Sequence, residues 1–277
     1  MNEIHHQPLR IGAVNYLNTK PLVFGLPRLL PSAELSYDYP SRLADSLADG
    51  QLDIALVPSI ELASHPEWSI VSDACIGCLG PVLSVKLMFR VPPAEVRRLA
   101  LDEGSRTSAV LAQILLNELY AVRPELTALP LGCDPEETES DAVLVIGDRA
   151  IRTPESEFVE VWDLGDRWCR WAELPFVFAM WVARPGVLTE TADAALAAAR
   201  DRGCKNLQAI ALQQSIAMQL PQQLVEEYLC RNLHYRLGAK QRSGLELYYR
   251  KAAEMGLIHT IPQGTLDDCQ IKHCRLA

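Results

Sequence analysis

Apolar and polar segments alternate through the first two thirds of the chain. Short apolar runs typical of buried strands are separated by segments with the 3.6-residue spacing of amphipathic helices. This pattern predicts strands at 9–14, 34–39, 52–57, 84–90, 98–101, 126–131, 142–146 and 174–183. It predicts helices at 20–30, 41–49 and 106–120, a short helix opening at 58–61, and an irregular aromatic segment at 162–171. Strands that alternate with helices favour an α/β fold with parallel βαβ units.

The last ninety residues have a different, mainly helical pattern, with helices predicted at 189–202, 206–220, 222–233 and 244–254. The apolar strands at 84–90 and 176–183 flank the middle block, so we predict that the chain crosses into an inserted lobe and back. Lobe I then comprises residues 1–90 and 178–277, and lobe II comprises residues 91–177. Two α/β lobes joined by two crossing strands leave a cleft, which is a natural site for a small molecule.

Composition narrows the classes of partner. The chain of 277 residues has a net charge of −9 without a cluster of Lys and Arg, which argues against a nucleic-acid partner. No apolar run approaches the roughly 18 residues of a membrane span, and residues 1–7 lack a signal-peptide pattern, so we expect a cytoplasmic protein without a membrane partner. We expect a monomer or a homodimer.

The cysteines do not predict a metal site. Cys75 and Cys78 form the single CxxC motif, and the remaining ligand candidates, Cys269, His273 and Cys274, do not match a zinc spacing. We therefore expect thiols without a metal role, and no disulfide framework.

Two segments carry polar side chains directly after predicted strands. Asn15 and Asn18 follow the first strand, at the sheet edge where small molecules bind in α/β proteins; the alternative interpretation is that they only make turn contacts. Ser105, Arg106, Thr107 and Ser108 open the amphipathic helix at 106–120. A helix N-terminus favours a carboxylate or a phosphate, whereas the alternative is simple N-capping. Arg106 would then either contact an anion or lie in solvent.

Weaker candidates occupy similar positions. Ser59 lies at a helix start, Ser84 precedes a strand, and Gly147 and Asp148 end one; caps or turns are the alternative interpretation. The histidines, at 5, 6, 65, 234, 259 and 273, all lie outside these segments, so a histidine base is not expected. The sequence thus predicts a cleft lined by hydroxyls and amides.

Five segments in order resemble one family over about residues 9–258. They are VNYLNT at 14–19, LDIALVPS at 52–59, GPVLSV at 80–85, SRTS at 105–108 and LPFVFAMW at 174–181. The chain resembles the chorismate dehydratases of the futalosine route to menaquinone. The resemblance implies a two-lobed periplasmic-binding-protein-like type II fold. It also implies the dehydration of chorismate to 3-[(1-carboxyvinyl)oxy]benzoate by a carbon–oxygen lyase that needs no metal or organic cofactor.

Residue roles follow as hypotheses. Asn18 is assigned to catalysis, as the group that positions the departing hydroxyl or the enolpyruvyl arm. The base is left open between the substrate's own enolpyruvyl carboxylate, Glu61 and Asp148. The substrate-binding residues are predicted to be Asn15, Ser59, Ser84, Ser105, Arg106, Thr107, Ser108, Gly147, Asp148, Pro175 and Phe176.

Three other functions compete with this interpretation. The same fold would serve a non-catalytic solute-binding protein for small anions, which the missing export signal disfavours. The sibling enzyme that makes 1,4-dihydroxy-6-naphthoate is expected to use a histidine base, which the motif segments lack. A sensing module of a regulator would need a DNA-binding helix pair or a basic face, and the sequence indicates neither.

Overall fold

Two mixed β-sheets form the frame of the molecule in the computed structural model, which describes residues 8–262. The strands of the first sheet are β1 (Arg10–Val14), β2 (Glu34–Asp38), β3 (Ile54–Pro58), β4 (Ser69–Cys78), β10 (Phe176–Ala183) and β11 (His234–Arg236). Those of the second sheet are β5 (Val85–Phe89), β6 (Arg98–Asp102), β7 (Glu125–Leu129), β8 (Ala142–Ile146) and β9 (Glu160–Asp163).

Helices cover both sheets and make up most of the C-terminal part. They are α1 (Leu26–Leu29), α2 (Pro40–Ala48), α3 (Glu61–Ser64), α4 (Arg106–Tyr120), α5 (Gly147–Arg152), α6 (Leu164–Ala172), α7 (Glu190–Lys205), α8 (Leu207–Met218), α9 (Gln222–Glu227) and α10 (Ala239–Glu254). A π-helical turn, Tyr228–Asn232, continues α9. Within residues 8–262 no helix is long and apolar enough to cross a membrane.

Each sheet has a parallel part and an antiparallel part. The order of the first sheet is β11-β4-β10-β3-β1-β2, in which β1 pairs in parallel with β2 and β3, and β10 runs antiparallel to β3 and β4. The order of the second is β7-β6-β8-β5-β9, in which β6 pairs in parallel with its neighbours and β5 runs antiparallel to β8 and β9. The predicted parallel units are therefore present, next to antiparallel strands that close each sheet.

The two crossing strands belong to different sheets. β5 was predicted to end lobe I, but it pairs with β8 and β9 of the second sheet, so the chain has crossed before this strand begins. β10 pairs from Phe176 onward with the first sheet, so the return crossing is complete at its first residue. The lobe boundaries at 90 and 177 stay a prediction, while the strand pairing places the crossings in the loops before β5 and β10.

Three other predictions differ from the structure. A helix at 20–30 was wrong, because Pro21 and the left-handed Gly25 (φ 74°) interrupt it and leave the short α1. The segment at 162–171 is regular, with β9 followed by α6, whose N-cap Asp163 accepts a hydrogen bond from the Asp166 backbone N–H. β4 was missed because Asp73 interrupts its apolar pattern; Arg200 Nη1 pairs with Asp73 Oδ1 at 2.6 Å.

A cluster of ion pairs links the ends of three neighbouring strands. Asp53, just before β3, accepts hydrogen bonds from Arg10 at the start of β1 (Nη2, 2.9 Å) and from Arg184 just after β10 (Nη2, 2.7 Å). Burial alone would raise the pKa of Asp53, but the side-chain and backbone hydrogen bonds from Arg10 and those from Arg184 lower it to about 2. The ionised carboxylate is therefore favoured in the folded state.

Replacement of Asp53 by Asn is expected to lower the free energy of unfolding by about 2 kcal/mol at neutral pH. Since the folded-state pKa lies below the usual value, this stability is present above pH of about 4 and lost as the pH falls towards about 2. Urea unfolding across this range checks both effects, with the exposed Asp49→Asn as the control. Equal pH dependence in the Asp53→Asn variant and the wild type would contradict the assignment.

Candidate active site

A cavity lies where the carboxyl ends of strands from the two sheets face each other. Its empty volume is about 510 Å³, counting space open to solvent. The residues that line it are Val14, Tyr16, Asn18, Pro40, Pro58, Ile76, Val82, Ser84, Val85, Gly104, Ser105, Arg106, Thr107, Ser108, Ile146, Gly147, Phe178 and Ala179. We call this space the main cavity.

Most of the predicted site residues meet there, although they come from four separate segments. Those that line the main cavity are Asn18, Ser84, Ser105, Arg106, Thr107, Ser108 and Gly147. Asn15 and Asp148 line a neighbouring cavity beside Tyr37 and Tyr39. Ser59, Pro175 and Phe176 are buried and line neither of these two cavities.

The amino end of α4 faces the main cavity. Ser105 is its N-cap, and its Oγ accepts a hydrogen bond from the Ser108 backbone N–H at 3.3 Å. Capping and cavity lining therefore occur in the same residue, so the two interpretations offered by the sequence are compatible. The positive end of the α4 dipole favours an anion at this wall of the cavity.

Thr107 joins the two halves of the molecule behind the cavity wall. Its Oγ1 accepts a hydrogen bond from the Ile60 backbone N–H at 3.2 Å and lies 3.4 Å from Ser59 Oγ. Tyr248 and Tyr249 on α10 donate to the backbone carbonyls of Thr107 (2.9 Å) and Ser59 (2.6 Å). Ser59 therefore supports Thr107 from behind.

Arg106 has a different role from either alternative in the sequence analysis. Its guanidinium pairs with Glu61 Oε1 at 3.1 Å and with Asp45 Oδ1 at 2.6 Å, both on the first-sheet side of the cavity. These partners were not predictable, because they lie 45 and 61 residues away along the chain. Arg106 is thus an ion-pair bridge across the cleft, with its charge already matched by two carboxylates.

Tyr16 forms a wall that the sequence analysis missed. Its ring lies against Gly147 (φ 68°), where an added Cβ would lie 2.5 Å from the ring, and its hydroxyl is near Gly104. Burial, followed by the negative charge of Asp102, raises the pKa of Tyr16, so the phenol stays protonated. Tyr16 lines both the main and the neighbouring cavity and separates them.

The two carboxylates considered as bases are both held by the protein. Burial raises the pKa of Glu61, an effect that Arg106 partly offsets. Burial also raises the pKa of Asp148, whose Oδ1 accepts the Leu17 backbone N–H at 3.0 Å. Neither residue lines the main cavity.

Ser84 is held in a tight loop. The Asp163 carboxylate accepts the backbone N–H groups of Val82 and Leu83 at 2.9 and 2.6 Å, and Leu83 has a left-handed backbone (φ 64°). The Ser84 backbone N–H donates to Val82 O at 2.7 Å. This geometry fixes the direction in which the Ser84 side chain leaves the backbone.

Pro175 and Phe176 belong to the frame. The Pro175 carbonyl accepts Trp168 Nε1–H at 3.2 Å, and Phe176 packs edge-on against Trp168 and Tyr248, with centroids 5.2 and 5.1 Å away. A direct contact with a ligand in the main cavity is therefore not expected of them. They position the return crossing from which Phe178 and Ala179 reach the cavity.

The part of the chain that the structure describes holds no group of three or more His, Cys, Asp and Glu side chains able to bind a metal. Cys269, His273 and Cys274 lie outside the described residues. Burial raises the pKa of the Cys75 thiol to about 12.

Comparisons with known proteins agree on family and fold. A family model described as "Menaquinone biosynthesis" matches residues 9–254. A chorismate dehydratase of Thermus thermophilus is 30% identical over 264 residues, which cover 87% of this chain and 94% of that protein.

Solved structures agree with the fold. Protein AF1704 of Archaeoglobus fulgidus superposes with a TM-score of 0.74 at 16% identity, over 92% of this chain and 100% of that one. The alkanesulfonate-binding protein of Xanthomonas axonopodis pv. citri has a TM-score of 0.57 at 14% identity, over 94% and 97%. The predicted two-lobed α/β fold of periplasmic-binding-protein type is therefore confirmed.

Replacement of Gly147 by Ala is expected to disturb the main cavity, because the new Cβ would collide with the Tyr16 ring at 2.5 Å. Gly50→Ala is the matched control, since Gly50 has a similar φ of 70° with nothing within 4 Å of an added Cβ. Both variants carry the strain of a left-handed alanine, about 1 kcal/mol. A melting temperature lowered more in Gly147→Ala than in Gly50→Ala checks the contact; equal shifts would contradict it.

Proposed function

The chain belongs to the menaquinone biosynthesis family, and from this premise we propose that it is a chorismate dehydratase. The observation that carries the proposal is the match to a chorismate dehydratase over 94% of that protein's length. The reaction removes the C3 proton and the C4 hydroxyl of chorismate as one molecule of water. The product is 3-[(1-carboxyvinyl)oxy]benzoate, so the activity is that of a carbon–oxygen hydro-lyase, here proposed to act in the cytoplasm.

Local groups have to attract the substrate, because chorismate is a dianion and the protein has a net charge of −9. The amino end of α4 and the Ser84 hydroxyl line the main cavity and are suited to carboxylates. Hydrogen bonds to the C1 carboxylate stabilise the charge that develops in the ring when the C3 proton leaves. We assign this role to Ser84, Ser105 and Ser108, with Thr107 supporting the same wall.

Asn18 is the proposed positioning group for the departing hydroxyl or the enolpyruvyl arm. It lines the main cavity, and its Oδ1 accepts a hydrogen bond from Thr19 Oγ1 at 3.2 Å. That bond orients the amide, so the two N–H donors of Asn18 are directed to other partners. An amide donor near the C4 hydroxyl would assist its departure as water.

The substrate's enolpyruvyl carboxylate is the proposed base. Glu61 is paired with Arg106, and Asp148 accepts the Leu17 N–H, so neither protein carboxylate is available in the main cavity. A carboxylate of ordinary basicity is a weak base for a C–H proton. Its placement within the same molecule offsets this weakness, by up to about 7–11 kcal/mol in well-oriented reactions.

Incubation of the purified protein with chorismate tests the activity. We expect the absorbance of the diene to disappear and mass analysis to show a product lighter by one water. Asn18→Ala is expected to lose at least about tenfold in turnover, within the usual effect of a positioned polar group. Asn206→Ala, at an exposed position that lines neither the main nor the neighbouring cavity, is the matched control.

Chorismate that is bound but unchanged would favour a small-anion binding protein of the same fold. An unchanged chorismate pool together with conversion of a cyclised futalosine would favour the sibling naphthoate synthase. Full turnover by Asn18→Ala would remove Asn18 from the mechanism while leaving the activity assigned.

Glu61→Gln and Asp148→Asn test the identity of the base. If the substrate supplies the base, both variants are expected to keep turnover within about tenfold of the wild type. Loss of a protein base would instead lower turnover about 100-fold or more. The measurement is single-turnover kinetics at saturating chorismate, with binding affinity and melting temperature recorded for each variant. Loss of turnover in either variant with binding and folding intact would assign the base to that residue.

A further inference from the structure

The hydroxyl of Tyr228 lies directly behind the main cavity. Tyr228 begins the π-helical turn that continues α9, and its side chain is 1% exposed. Its hydroxyl donates a hydrogen bond to Ser84 Oγ at 2.8 Å, although the two residues lie 144 positions apart. π-helical turns within helices occur frequently at functional sites. Tyr228 does not itself line the main cavity, so any effect on the substrate passes through a neighbour.

The direction of this bond determines what Ser84 can offer to a ligand. A serine hydroxyl has one hydrogen and two lone pairs. Since Ser84 Oγ accepts from Tyr228, its own hydrogen is directed to a different partner. Ser84 lines the main cavity and is 1% exposed, so a ligand atom in the cavity is suitably placed to accept that hydrogen.

Asn18 interacts with the same tyrosine. Burial, the larger effect, raises the pKa of Tyr228, and its hydrogen bonds with Ser84 and Asn18 oppose that rise. The phenol therefore keeps its proton and remains a donor. Tyr228 therefore lies between Ser84, to which it donates, and Asn18, which Thr19 orients; these belong to the two segments proposed to hold opposite parts of the substrate.

We propose that Tyr228 is a positioning residue, which donates to Ser84 Oγ and thereby turns the Ser84 hydroxyl proton towards a carboxylate of the bound substrate. The inference rests on the proposed dehydration and adds to it a residue from the C-terminal helical part. In the absence of the Tyr228 donor, the Ser84 hydroxyl is free to rotate. It then stabilises the developing charge less well, whereas ground-state binding through the α4 wall is retained.

A double-mutant cycle separates this role from a purely structural one. Tyr228→Phe is expected to lower kcat about tenfold with little change in KM, within the range of coupling between contacting side chains. In a Ser84→Ala background, Tyr228→Phe is expected to change kcat less than about twofold, because there is no hydroxyl left to orient. Additive effects of the two substitutions would overturn the proposal, as would a Tyr228→Phe variant with unchanged kcat.

Tyr235→Phe is the matched control, since Tyr235 is buried and its hydroxyl donates to the Leu229 backbone carbonyl at 3.3 Å, away from the cavity residues. Its kcat is expected to match the wild type. If Tyr228→Phe does not fold, Tyr228→p-aminophenylalanine, which keeps a donor at the same position, takes its place. A folded variant of this kind is expected to retain kcat within about threefold; a tenfold loss would overturn the proposal.

Wild-type turnover of chorismate is measured first. If the wild type binds chorismate without turnover, the dehydratase function fails and the inference fails with it, since it concerns the charge that develops during the reaction. If the wild type converts chorismate and the effects of the two substitutions are additive, the inference alone fails. If chorismate is neither bound nor converted, both proposals fail.

Discussion

The main cavity depends on buried polar contacts that hold the ends of the two sheets against each other. Thr107 at the start of α4 and Ser59 at the end of β3 meet through their hydroxyls, and α10 fixes both backbones through Tyr248 and Tyr249. Each of these four residues is buried, so loss of one contact leaves a polar group without water to replace its partner. The C-terminal helix is therefore part of the site's construction, even though it contributes no residue to the cavity lining.

The distribution of charge around the main cavity follows from the same arrangement. The carboxylates near the cleft already have partners in the protein. Glu61 and Asp45 form ion pairs with Arg106, and Asp148 accepts a hydrogen bond from the Leu17 backbone N–H. The polar groups at the cavity surface that are not part of an ion pair are hydroxyls, an amide and a helix N-terminus, since Arg106 is paired with its two carboxylates. Such a surface accommodates a dianion without a full positive charge, and its donors are fixed before the substrate arrives. Preorganised donors of this kind stabilise developing charge without the cost of reorientation.

Sequence reasoning succeeded where the signal is local. The amphipathic spacing and the Ser105 cap predicted α4 at its observed bounds, and the residues after β1 and β8 follow from strand ends. It failed where a long-range partner decides the outcome. Asp73 can lie inside β4 because it forms an ion pair with Arg200. Arg106 bridges the cleft because its guanidinium forms ion pairs with two carboxylates that are distant along the chain. No local pattern contains that information.

A residue can lie in one of the five segments that carry the family resemblance without contacting a ligand. The segment at 174–181 contains both Pro175 and Phe176, which pack in the frame, and Phe178 and Ala179, which reach the cavity. Tyr228 shows the reverse case, since it lies outside every segment that carried the resemblance and yet donates to Ser84. Orienting a hydroxyl proton in the cavity therefore constrains residues that are distant along the chain, and these are recognisable only once the chain has folded.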